Sequence, residues 1–193
     1  MLYYDYKIID INIKQNKEYG MNIIIDERTE SHMLCHNDDF FKGWKATFEL
    51  LQEKGAFNDL KEPIERLEVA LDEPIGYCTL VDTTDEDEIV YAKRLERELY
   101  TRFVKDREPS LIAHVVVILK KDEEVEDSYR LITMYPGRRS EKEPEDIKIE
   151  SKEELIRSLN FWSKKALIYN EDIIEEGSQK DYCPYQNLYY IFD

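Results

Sequence analysis

Two apolar, β-branched-rich runs constrain this chain more than any other feature. They are LIAHVVVIL at residues 111–119 and YRLITMY at residues 129–135, separated by the acidic stretch DEEVED at 122–127. Short runs of this kind on either side of a charged connection make a β-hairpin. The first run is apolar almost throughout, which predicts a central strand covered on both faces or nearly so. One titratable residue, His114, sits inside it. Pro136–Gly137 then ends the second strand sharply.

The rest of the chain is placed around that hairpin. Upstream, YCTLV at 77–81 and the run at 88–93 read as two further strands joined by an acidic turn. Near the start, residues 1–26 are rich in Tyr and Ile and predict two short strands joined around 16–20. These either extend the main sheet or form a small separate hairpin. A helix is expected from Asn37–Asp38 to Gly55, with Phe40, Phe41, Trp44, Phe48 and Leu51 at helical spacing. That aromatic stripe reads as a core-facing surface before it reads as a ligand groove. A second helix is expected over 59–71, with Pro63 in its first turn and Ile64, Leu67 and Leu71 on its apolar face. Residues 93–107 allow two readings, a helix or a bent strand followed by a loop. Ser151 and Glu154 form a capping box for a helix running to about residue 167. The tail, CPYQNLYYIFD, is apolar enough to add a last short strand.

These elements predict an α+β fold, with helices packed on an antiparallel sheet of at least four strands. The length of 193 residues fits a single domain over 1–193. Within it, 1–72 supplies strands and two helices, 73–169 the core sheet and covering helix, and 170–193 a tail. No run is long enough for the roughly 20 apolar residues of a membrane span. The first ten residues lack the order of a secretory signal, so a soluble cytoplasmic protein is expected. Three widely spaced cysteines, Cys35, Cys78 and Cys183, do not make a disulfide framework. A net charge of −16 disfavours nonspecific binding to nucleic acid or anionic membrane. If the partner is a polyanion, a local basic site is required. If it is a protein, a basic one fits the charge.

Three groups of residues carry possible chemistry. Between residues 93 and 107 there are six cations, Lys93, Arg94, Arg97, Arg102, Lys105 and Arg107, against three acids. Clustered arginines hold phosphate by paired hydrogen bonds, although a solvated face of ion pairs is the competing reading. Thr133 and Tyr135, two apart on one strand, share a sheet face, and His114 joins them if the register allows. A His, a Tyr and an Arg on one face supply base, acid and phosphate clamp for attack by a ribose 2′-hydroxyl. The competing reading is a core histidine with a core tyrosine beside it. The third group, His32, Cys35 and His36 in HMLCH, has too few ligands for a zinc site, and no metal or other cofactor is expected.

The order GYCTLV, DEIVYAKR, YTRFV, HVVVILKK, YRLITMYPG, EPED and FWSKKALIY resembles a widespread group of bacterial proteins. Their corresponding segments end in an "EPWD" box and an "FW…HAL" helix. The resemblance spans about residues 73–169, and the chain departs from it at Glu145 for Trp and Lys165 for His. The same stretch is similar in architecture to the barnase, EndoU, colicin and RelE group of ribonuclease-like folds, in which a Thr-x-Tyr-Pro strand ending recurs. Here that ending is Thr133, Tyr135 and Pro136. The resemblance implies a metal-independent RNA-cleaving or RNA-processing domain. The assigned roles are His114 as base, Thr133 and Tyr135 as helpers, Arg94 as a catalytic cation, and Lys93, Arg97 and Arg102 as phosphate ligands. The alternative is a noncatalytic module that captures a basic protein.

Overall fold

The structure, a computed structural model, describes the backbone of residues 8–10 and the whole of residues 21–95 and 97–188. The elements in chain order are β1 (Ile8–Asp10), β2 (Asn22–Ile24), α1 (Glu27–Leu34), α2 (Gly43–Glu53), β3 (Ile64–Ala70), β4 (Gly76–Cys78), β5 (Leu80–Asp82), β6 (Ile89–Arg94), β7 (Arg97–Val104), β8 (Ser110–Ile112), β9 (His114–Lys121), β10 (Ser128–Pro136), α3 (Lys152–Trp162) and β11 (Lys165–Ile168). This is the expected α+β class. The chain forms two compact units, residues 1–78 with 111–139, and residues 79–110 with 140–193. Among the described residues, no helix is long and apolar enough to cross a membrane.

The first unit holds a five-stranded sheet in the order β1-β3-β9-β10-β2. Strands β3, β9 and β10 are antiparallel, and β1 and β2 add parallel to opposite edges. The two amino-terminal strands therefore extend the main sheet and do not pair with each other. Their expected connection at 16–20 lies outside the described residues, as do residues 189–193 of the tail. Strands β9 and β10 are the predicted hairpin. Its acidic connection folds because Asp122 accepts 2.8 Å hydrogen bonds from the backbone N–H groups of Glu124 and Val125.

Side chains alternate across this sheet. Leu67, Val69, Val115, Val117, Leu119, Leu131 and Met134 turn to one face and pack with Trp44, Phe48 and Leu51 of α2. The aromatic stripe of α2 is thus core, as its helical spacing predicts, with Phe41 left exposed before the helix. Each fully buried side chain of this kind contributes about 1.5–3 kcal/mol.

The expected helix over 59–71 is a strand. Leu67 is compatible with either period, but Leu67 and Val69 also alternate with Arg66 and Glu68. Seven register pairs along β9 outweigh the local helical preference. The 93–107 segment takes the strand reading, with β7 running back along β6.

The four strands expected in one core sheet are distributed over three. Strands β9 and β10 belong to the five-stranded sheet, β5 and β6 to a four-stranded sheet in the second unit, and β4 to a short ladder with β8. The run at 77–81 breaks between Cys78 and Leu80, so its two halves pair with different partners. The four-stranded sheet has the order β5-β11-β7-β6. Ser151 caps the helix as expected by accepting from the Glu154 N–H, while the Glu154 carboxylate reaches one residue further back and accepts from the Glu150 N–H. The helix ends at Trp162, earlier than expected, and residues 165–168 become β11.

Candidate functional site

The face of the five-stranded sheet opposite α2 carries the hairpin's polar residues. Register places them in rows. Glu68 on β3 and Tyr135 on β10 both pair with Val116 of β9, so they flank it. Arg66 and Thr133 likewise flank Ile118. His114 pairs with Ala70 and lies on the same face, at the next row. The register that sequence alone leaves open therefore sets His114, Thr133 and Tyr135 on one face.

A sharp turn adds the residues after β10. Gly137 has φ +150° and donates its N–H to the His114 carbonyl at 2.8 Å. A Cβ there would sit 3.3 Å from Cys78 Sγ, and few side chains tolerate that φ. Past this turn, Arg138 Nε lies 3.9 Å from Glu68 Oε1, and the Arg139 N–H donates to Glu68 Oε2 at 3.2 Å. His114 is half-buried. Burial pushes its imidazole below the ordinary histidine value, the Arg138 charge adds to the shift, and Glu68 opposes it.

At the other end of this face, α1 covers the edge of β10 beyond the short β2. Thr29 Oγ1 donates to the Leu131 carbonyl at 2.8 Å, and Met33 is buried against the strand. This sets the exposed His32 Nε2 3.1 Å from Thr133 Oγ1. The His36 ring lies edge-on to His32 at 5.1 Å, and its Nδ1 pairs with Asp39 at 3.1 Å. His32 lies on α1, and His36 follows just past the end of that helix. Among the described residues, no group of three or more His, Cys, Asp or Glu side chains is placed to hold a metal.

The arginine-rich segment belongs to the other unit. Arg94 and Arg97 (the latter at 3.1 Å) pair with Glu143, whose side chain is only 2% exposed. Thr101 Oγ1 also donates to Glu143 at 3.1 Å. Arg102 donates to Thr83 Oγ1 at 2.7 Å and to the Lys165 carbonyl at 3.1 Å. Lys93 Nζ lies 5.7 Å from the Tyr100 ring centre. These cations bind carboxylates, carbonyls and rings of their own unit, but Arg102 and Glu143 are buried, so this is not the solvated face of the competing reading. Glu143, the first residue of EPED, takes Arg94 and Arg97, and just before the box the Lys142 carbonyl accepts from Ser158 Oγ at 2.7 Å and Trp162 Nε1 at 2.9 Å.

Sequence reasoning missed Glu68 and Arg138. The first was hidden by reading 59–71 as a helix, and the second follows Pro136–Gly137, which the sequence marks only as the end of a strand. The period-two pattern of Arg66, Glu68 and the apolar residues between them was the available signal. No protein-family model, curated protein or solved structure matches the chain.

Proposed function

We propose that the protein cleaves RNA by attack of a ribose 2′-hydroxyl on the adjacent phosphate, at the sheet face bearing His114, Tyr135 and Arg138. The observation that carries this reading is geometric: half-buried His114 and Glu68 share one sheet face, and Arg138 reaches Glu68 at 3.9 Å across the turn. Neutral His114 takes the 2′-hydroxyl proton. The 2′-oxygen bonds to phosphorus, the bond from phosphorus to the 5′-oxygen breaks, and Tyr135 gives its phenolic proton to that leaving oxygen. The products are a 2′,3′-cyclic phosphate and a 5′-hydroxyl, and proton return from the imidazolium to the phenolate resets the site. Arg138 stabilises the charge that develops on the phosphoryl oxygens. Glu68 orients Arg138, and Thr133, a row further along the strand, stands outside the reacting centre. These side chains supply base, acid and electrophile themselves, so the reading requires no metal.

The clamp role passes from Arg94 to Arg138 because Arg138 shares the unit and the electrostatic surroundings of His114. The test is cleavage of single-stranded RNA with EDTA present. Loss of cleavage in His114→Gln and Arg138→Gln supports the reading, and cleavage that survives both substitutions contradicts it.

A second reading rests on the net charge of −16. In that reading the protein is a noncatalytic module that captures a basic protein. Failure to cleave RNA at any concentration, together with salt-sensitive association with a basic protein, favours it.

A further inference from the structure

We propose that Arg66 and the His32–Thr133 pair form a second phosphate-binding row, which holds RNA beyond the phosphate at His114 and Arg138. This inference rests on the RNA-cleaving reading and deepens it. Arg66 and Thr133 flank Ile118 on the polar face, two residues along β9 from the row of Glu68, Val116 and Tyr135. His114 is two residues further. At about 3.3 Å per strand residue, the Arg66 row lies roughly 13 Å from His114 along the strand. That is too far to share one phosphate, but it lies along the path of a single strand that continues over the same face.

The chemistry of the row fits an anion. Arg66 is exposed and forms no ion pair among the described residues. The other cations on this side of β9 and β10 are committed: Lys120 pairs with Glu123 at 3.0 Å, and Arg130 is held by Asp122 and by Asp26. His32 is exposed, and Thr133 Oγ1 sits 3.1 Å from its Nε2, so an imidazole and a hydroxyl stand opposite the guanidinium. The packing that places His32 is fixed, since Thr29 and Met33 pin α1 to β10 on either side of it. In a chain of charge −16, a face that sets Arg66 and Arg138 against Glu68 is a local basic site of the kind a polyanion needs.

The experiment uses labelled 2′-O-methyl oligouridylates of two and eight nucleotides, which lack an attackable hydroxyl, and measures binding by fluorescence anisotropy across a salt series. The wild-type chain is expected to bind the longer oligomer about tenfold more tightly. Arg66→Gln and His32→Asn should each remove most of that advantage and leave dinucleotide binding unchanged. Arg66→Gln should also lower the salt slope for the longer oligomer by about 0.7, the value for one lost single-strand phosphate contact. Arg66→Lys, which keeps the charge, should retain the salt slope. Equal binding of both lengths by the wild type, or an unchanged length advantage in Arg66→Gln, overturns the second row and leaves the cleavage site standing. Binding of neither oligomer, with no cleavage of RNA, overturns both.

Discussion

Glu68 and His114 lie on adjacent antiparallel strands and on the same sheet face, with Ala70 as the register partner of His114 and Val116 as that of Glu68. Arg138 returns to Glu68 across the turn at Gly137, so one carboxylate, one imidazole and one guanidinium are set around the end of the hairpin. Cleavage should follow these residues. His114→Gln is expected to lower the rate by about 100-fold or more, the usual effect of losing a general base. Glu68→Gln, which loosens Arg138 without removing it, should give a smaller loss. Rates on a fixed RNA oligonucleotide, with circular dichroism as a fold check, test this order. A larger effect for Glu68 than for His114 would contradict it.

The shift of His114 has a consequence for stability. An unfolded histidine titrates near 6.5, and the folded one lies lower. As pH falls through 6.5, the unfolded chain takes up a proton that the folded chain resists, so stability declines until pH passes the folded value. The neutral carboxyl forms of Asp26, Asp87 and Asp122, all held below their ordinary value of 3.8, matter only in more acidic solution. His114→Gln should therefore flatten the urea midpoint between pH 7.5 and 5.5 while leaving the loss below pH 4 in place. An unchanged slope between pH 7.5 and 5.5 would count against this account of the imidazole.

The buried carboxylate of Glu143 gives a different prediction for the second unit. Glu143→Gln leaves the charges of Arg94 and Arg97 without their counter-ion and should destabilise the protein by about 3 kcal/mol in urea unfolding. Arg94→Gln should likewise lower stability. Its RNA cleavage per folded molecule should stay close to wild type, because Arg94 is paired with Glu143 and the proposed site uses Arg138 instead. Loss of cleavage in a fully folded Arg94→Gln protein would restore Arg94 to the site.

Gly76 is a third structural test. A Cβ at this position would meet the Asp39 carbonyl at 2.2 Å and Pro136 Cγ at 2.7 Å. The backbone of β4 can approach the end of β10 this closely only because residue 76 is glycine. Gly76→Ala should cost about 1–3 kcal/mol through overpacking, and its displacement of Pro136 should also lower cleavage. A wild-type unfolding midpoint in Gly76→Ala would show that this approach is not tight.

Much of this arrangement is legible in the residues, and the parts that are not have physical reasons. The hairpin, the core-facing helix of Trp44 and Phe48 and the cap at Ser151 each rest on local patterns strong enough to stand alone. Strand β3 does not, because Leu67 suits both periods and only pairing with β9 decides between them. The arginine cluster was legible as charge but not as structure, since Glu143, the partner of Arg94 and Arg97, is 49 and 46 residues away in sequence. Glu68 and Arg138 were invisible as site residues for the same reason. Their meeting depends on a register and on one left-handed glycine, neither of which a short sequence window contains.

The most direct test of the central claim is cleavage of single-stranded RNA by purified wild-type, His114→Gln and Arg138→Gln proteins in EDTA, with the product ends identified by mass. The account predicts 2′,3′-cyclic phosphate ends from the wild type and little or no product from either variant. No cleavage by the wild type, or wild-type rates in His114→Gln, would contradict it.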